Sequence, residues 1–253
     1  MKKILSLLFC VLLCLTACAP SGLQEQSVSD SVPTTETTTA PTQEATQPLE
    51  GAAIPEAYGQ ILSNIIRAYP WNDDEGDLVP EQPELSYMYR WNTDLAEVGF
   101  ALMDLDGNGT EELILGWIDN DFVYDVYTIS EGQAVHILAG HERNSYFLCE
   151  NAMIENRWSG GAAVSGNDFY RLDGSSLKLS ERITYDVYHA MEIGLIRDWD
   201  EADGQDFYFA SPTENSADYS RISADEALAT LDNHREANPQ LEIRYTPLTE
   251  YDE

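Results

Sequence analysis

The chain has 253 residues, with 45 acids against 13 bases and a formal charge of −32. Phosphate binding needs clustered lysine and arginine, so nucleic acid is disfavoured as a partner. Three of the four cysteines lie within the first 18 residues, so no cysteine framework is available to brace a folded domain further along.

Met1, Lys2 and Lys3 place positive charge ahead of an apolar run from Ile4 to Leu15, the build of a secretory signal. The run is shorter than the roughly 20 apolar residues that a membrane-spanning helix needs. It ends in Leu15-Thr16-Ala17-Cys18, which resembles the lipobox of bacterial lipoproteins. The resemblance implies cleavage before Cys18 and attachment of diacylglycerol to its thiol. Each buried methylene contributes about 0.8 kcal/mol, so two or more acyl chains anchor a protein stably where one does not. Loss of residues 1–17 removes two lysines and no acid, and the charge becomes −34. The expected location is therefore extracytoplasmic, with the membrane as partner through lipid on Cys18. Cys149, flanked by Phe147 and Leu148, is then the one remaining thiol and reads as buried rather than reactive.

Residues 18–52 carry Ser, Thr, Gln, Glu and Pro with almost no large apolar side chains, including Pro33-Thr34-Thr35-Glu36-Thr37-Thr38-Thr39-Ala40-Pro41. Such a segment cannot bury a core and reads as a disordered tether. It reaches about 30 Å as a coil and roughly 100 Å in polyproline geometry. Residues 53–253 have globular composition and read as one domain. Pro55 suits the first turn of a helix, and Ala57, Ile61, Leu62, Ile65, Ile66 and Tyr69 fall on one face before Tyr69-Pro70 ends it. Trp71 to Glu84, rich in Asp, Glu and Pro, reads as an acidic loop.

Strands are expected near 97–103, 112–118, 122–129, 133–139, 145–149, 152–158, 167–172, 177–188 and 206–210, with turns at Glu131-Gly132 and Asp173-Gly174. Ser223-Ala224-Asp225-Glu226 has capping-box form and predicts a helix through about Arg235. Pro239 follows, and Leu241 to Tyr245 reads as a last strand. The fold class is mainly β (α+β): antiparallel, hairpin-connected sheets, propeller- or sandwich-like, with an N-terminal and a C-terminal helix packed on them.

The segment Phe100-Ala101-Leu102-Met103-Asp104-Leu105-Asp106-Gly107-Asn108-Gly109-Thr110-Glu111-Glu112-Leu113-Ile114 carries the clearest chemistry. Asp104, Asp106, Asn108 and Glu112 occupy positions 1, 3, 5 and 9 of a loop, with Gly109 at 6 and the Thr110 carbonyl available at 7. Calcium takes six to eight oxygens, so a short loop must turn sharply and aim alternate side chains inward. Position 12 is Leu115 and the flanks read as strands, which excludes an EF-hand pair. The segment resembles the calcium loop of FG-GAP or VCBS-type repeats and a strand-loop-strand segment of gut Firmicutes lipoproteins. The resemblance covers about 20 residues strictly. It implies one structural calcium on Asp104, Asp106, Asn108, Thr110 and Glu112. Asp-Gly and Asn-Gly are also strong hairpin-turn pairs, so turn chemistry alone is the competing reading.

Other candidates are weaker. Asp198, Asp200, Asp203 and Asp206 lack a position-5 oxygen and read as a solvated loop; Asp119 and Asp121 follow the second strand without a fixed direction. His136, His141, His189 and His234 show no ligand spacing. Ser159, between Trp158 and Gly160-Gly161, lacks the nucleophile elbow and reads as a bulge or turn. The expected function is a non-enzymatic, calcium-stabilised binding domain for a glycan or surface protein. The alternative is a polysaccharide or peptidoglycan hydrolase using a carboxylate pair.

Overall fold

Two strands whose side chains are nearly all apolar need cover on both faces, and that requirement organises the chain. The computed structural model describes residues 54–70, 86–92, 94–120 and 122–252. The signal segment, Cys18, the tether and the acidic loop after Trp71 lie outside the described residues. Among those described, no helix is long and apolar enough to cross a membrane.

The strands are β1 (Val98–Met103), β2 (Glu112–Trp117), β3 (Val123–Ser130), β4 (Gln133–Ala139), β5 (Asn144–Leu148), β6 (Met153–Gly161), β7 (Val164–Asp173), β8 (Ser176–Asp186), β9 (Tyr208–Ser211), β10 (Ser220–Ile222) and β11 (Thr246–Pro247). All pairings are antiparallel, in one sheet that runs β10-β9-β8-β7-β6-β5-β3-β2-β1-β11, with β4 also on β3. The sheet is mainly hairpin-connected and does not close on itself. It narrows in the middle, because β3 pairs with β4 along Asp125 to Ser130 but meets β5 at the Val123–Tyr146 pair alone. The Glu131-Gly132 turn between β3 and β4 has φ of 53° and 77°, the left-handed pair that a tight hairpin requires.

Successive residues of β1 and β2 enter different cores, as a two-residue period dictates. Phe100, Leu113 and Leu115 pack with Tyr58, Leu62 and Ile65 of helix α1 (Glu56–Arg67). Ala101, Met103 and Ile114 pack on the opposite side with Leu148, Ile154 and Leu172 of β5, β6 and β7. Burial of α1 centres on Tyr58, which the expected apolar stripe omits. Its hydroxyl donates to the Glu111 carbonyl at 2.8 Å and lies 3.3 Å from that of Tyr127. Pro55 stands one position earlier than expected, at the N-cap.

Helix α2 (Val187–Glu192), capped by Asp186, replaces the final residues of the strand expected to 188. Its six residues are too few to display a helical period. Helix α3 (Ala224–Ala237) carries the expected capping box: the Glu226 amide donates to Ser223 Oγ at 3.1 Å, and the Ser223 amide donates to Glu226 at 2.8 Å. It lies on the face of β5–β8 away from the shared core. There Arg235 and Arg157 both donate to Glu155, His234 stacks on Phe169 at 3.9 Å, and Leu231 meets Cys149. Burial pushes the Cys149 thiol up to about 11.

Leu241 to Tyr245 is not the expected strand. Leu241, Ile243 and Tyr245 fill the shared core instead, between an isolated bridge of Gln240 to Cys149 and the ladder that begins at Thr246, against Phe100. Tyr245 explains the offset. Gly99 and Gly116 are register partners on β1 and β2, and a Cβ on either would collide with its side chain. The glycine pair thus makes a slot for a side chain where a laddered strand would otherwise run.

Replacing Tyr58 with phenylalanine is expected to cost about 1 kcal/mol, the net worth of one buried hydrogen bond, with an unchanged denaturant slope. An unmoved urea midpoint would show that the hydroxyl does not hold α1 to the sheet. Glu155 supplies a second test. Burial raises its pKa, and the two arginines more than reverse this, leaving it below the ordinary 4.5. A depressed acid stabilises the fold above its unfolded pKa and loses that stabilisation as pH falls through the folded value. Acid titration of wild type should therefore show a stability loss beginning near pH 4.5, and Glu155→Gln should flatten that limb.

Candidate metal centre

The connection from β1 to β2 must reverse the chain at the edge of a core closed on both sides. It does so through Gly107 and Gly109, with φ of +75° and +88°. Asp104 organises the turn: one carboxylate oxygen accepts the amides of Gly107 at 2.8 Å and Asn108 at 3.1 Å, and the other accepts that of Gly109 at 2.9 Å. Asp106 Oδ1 accepts the Asn108 amide at 3.1 Å, and Asn108 Oδ1 accepts the Thr110 amide at 2.7 Å. These are the local side-chain-to-backbone bonds for which Asp and Asn are favoured in turns.

Glu112 opens β2 with no exposed surface. One of its oxygens accepts the Leu105 amide at 2.8 Å and the other accepts the Thr128 hydroxyl of β3 at 2.9 Å. Burial pushes its pKa up to about 7, the two hydrogen bonds oppose the rise, and the charges of Asp106 and Asp104 add to it. One ligand atom each from Asp104, Asp106 and Glu112 lies within 4.8 Å of the others, so the cluster can hold a metal ion. Among the described residues no other group of three or more His, Cys, Asp or Glu meets that spacing. Asn108 and Thr110 share the same turn and are tied to each other.

Two participants have no signal in the local sequence. Thr128 braces Glu112 from the neighbouring strand. The Gly174 amide, in the turn between β7 and β8, donates to Asp106 Oδ2 at 2.7 Å across 68 residues. The loop is thereby fastened to the second half of the sheet. Only the turn signal at Asp173-Gly174 pointed to that hairpin, and nothing in it named a partner.

The remaining candidates take structural places. Asp198 caps the short turn Trp199–Glu201 by accepting the amides of Asp200 and Glu201. Asp121 lies outside the described residues, and Asp119 is not in the cluster. His136 holds buried Asp125 at 2.8 Å, His234 holds Glu181 at 2.7 Å, and His189 packs edge-on against Phe209 and Tyr219. His141 is exposed in the turn before β5. Ser159 sits where the β6–β7 register shifts, at a bulge. No protein-family model, curated protein or solved structure matches the chain.

A Cβ at Gly109 meets nothing within 4 Å, so substitution there tests backbone conformation alone. Gly109→Ala should cost about 1 to 2 kcal/mol, the penalty of a left-handed L-residue. Full tolerance, read from chemical unfolding, would mean that the loop does not require this turn.

Proposed function

We propose that the chain is a lipid-anchored, extracytoplasmic protein displaying a non-enzymatic binding domain, stiffened by one calcium ion in the Asp104–Glu112 loop. One observation carries the calcium reading. Four carboxylates are buried among the described residues: Glu112, Asp125, Glu155 and Asp168. Asp125 faces His136, Glu155 faces Arg157 and Arg235, and Asp168 faces Arg182. Glu112 instead faces Asp104 and Asp106. A buried carboxylate needs a counter-charge, and Glu112 has only an uncharged amide and hydroxyl beside two further carboxylates.

The donor set fits the ion. Carboxylates, an amide oxygen and a backbone carbonyl are hard ligands that suit calcium rather than a thiolate- or imidazole-seeking metal. Asp104, Asp106 and Glu112 would be first to engage it, with Asn108 and the Thr110 carbonyl completing the set that the FG-GAP-like spacing implies. Extracellular modules bind calcium at about 10⁻⁴ to 10⁻³ M, a range suited to the outside of a cell. The ion would act by pinning β1, β2 and the β7–β8 turn together.

Anchoring rests on the Leu15–Cys18 motif and its charged, apolar lead. The hydrolase alternative calls for a free carboxylate pair. Arginines hold Glu155 and Asp168, and a hydrogen bond with His136 holds Asp125, which commits those groups to structure and favours binding over hydrolysis. Exposed Tyr188 and Trp199, packed edge to face at 5.3 Å, give the domain contact surface for a partner.

Calcium at a hundred times Kd should stabilise the purified protein by about 2.7 kcal/mol. For a domain of this size that raises the melting temperature by roughly 5 to 10 °C relative to chelator. Asp104→Ala and Asp106→Ala should lose stability in calcium far more than in chelator. Equal losses in both media would reduce the aspartates to turn residues and remove the metal from the proposal.

A further inference from the structure

A second polar cluster lies on the other half of the sheet, on the face of β5–β8 opposite α3. Tyr146, Asn156, Asp168 and Arg182 are successive register partners across four strands, so their side chains share one face. Two residues along, Asn144, Trp158, Gly166 and Thr184 form the next row of that face. Arg182 grips Asp168 side-on, with Nε and Nη2 each donating to one oxygen at 2.6 Å, and its guanidinium stands 5.2 Å from the Trp158 ring centroid. Tyr170, on the same face, donates to Asp168 at 3.2 Å and to Glu214 at 3.1 Å.

The indole of Trp158 lies against the backbone of Gly166, where a Cβ would fall 2.8 Å from the ring. The glycine therefore lets an aromatic plate rest on the sheet. Tyr146, Trp158 and Tyr170 keep part of their surface open. Beside them are two atoms with no hydrogen-bond partner: Oδ1 of Asn156, a residue only 5 % exposed, and the indole N–H of Trp158. One is an acceptor lacking a donor, the other a donor lacking an acceptor. Orphans of this kind are costly and seldom left without a purpose in a native fold.

We propose that this face, centred on Asn156 and Trp158, binds a neutral saccharide. A hydroxyl both donates and accepts, so adjacent sugar hydroxyls can satisfy the Asn156 oxygen and the Trp158 N–H together. Aromatic plates suit the apolar C–H face of a pyranose. Charge narrows the class. Asp168 and Arg182 cancel each other, and a chain of net charge −32 repels uronic or phosphorylated sugars. The orphan atoms are shut off from solvent, so entry needs side-chain rotation at the rim, of the size that binding surfaces ordinarily make. The inference deepens the binding-domain reading and rests on it, but it uses none of the loop residues 104–112.

The test titrates the full-length protein, in calcium and in chelator, with neutral hexaoses of glucose, xylose and N-acetylglucosamine. Heat and the indole N–H resonances are followed. At least one oligomer should bind and shift the resonance that disappears in Trp158→Phe. Trp158→Phe keeps an aromatic face and removes the donor, and Asn156→Leu keeps the branched shape and removes the acceptor. Each should weaken binding about tenfold while the melting temperature stays near that of wild type. If Asn156→Leu fails to fold, Trp158→Phe and the wild-type resonance shift decide. Silence of all three oligomers on folded wild type, or an affinity indifferent to Trp158→Phe, overturns the proposal and leaves the two orphans to ordered water. Binding without any calcium response would sink the metal reading alone, and the reverse result would sink only this one.

Discussion

Burial of β1, β2 and β3 on both faces is the constraint from which the rest follows. Leu113, Ile114 and Leu115 are consecutive and fully buried, so alternate side chains must find separate cores. Helix α1 supplies one lid through Tyr58, Leu62 and Ile65. The other comes from the chain's own continuation, which narrows at the β3–β5 junction and lays Leu148, Ile154 and Leu172 over Ile114 and Met103. Each apolar side chain removed from water in this way is worth about 1.5 to 3 kcal/mol, so the lids are held far more firmly by packing than by any one polar contact. Double burial also decides where chemistry can lie. The β1–β2 connection emerges between the two lids, and the first residue of β2, Glu112, is carried inside with its carboxyl group.

Much of this was legible in the residues. Strand positions came from β-branched and aromatic runs, which mark a pleated, buried surface wherever they occur. The Glu131-Gly132 hairpin and the Ser223–Glu226 box were readable because their chemistry is complete within four residues. The Asp104–Glu112 spacing was readable for the same reason, and the convergence of Asp104, Asp106 and Glu112 is its geometric counterpart. What stayed hidden depends on partners far along the chain. Nothing local distinguishes Tyr58 from Ala57 as the residue that α1 buries, because the choice is set by the carbonyls of Glu111, just before β2, and Tyr127 of β3. The segment from Leu241 has strand composition, yet Gly99 and Gly116 let Tyr245 fill a slot and postpone pairing. Thr128 and Gly174 reach the loop only through the register of other strands. The bipartite sheet is likewise invisible to local reading, since a single pair at Val123 and Tyr146 joins its halves.

Scarcity of positive charge connects the two halves energetically. With 13 bases for 45 acids, most carboxylates must remain in water, and those taken inside compete for few cations. Arg157, Arg182 and Arg235 are spent on Glu155 and Asp168 in the β5–β8 half, and Asp125 at the β3–β4 hairpin shares a hydrogen bond with His136. Glu112 receives a backbone amide and a hydroxyl, neither of which carries charge. Replacing it with an apolar residue would remove that cost, yet the chain keeps an acid there and sets Asp104 and Asp106 beside it. A stability argument alone runs against such an arrangement, because a turn needs no buried acid beside it. A divalent cation would reverse the sign: in the site proposed above it would do for the loop what the arginines do for the far strands.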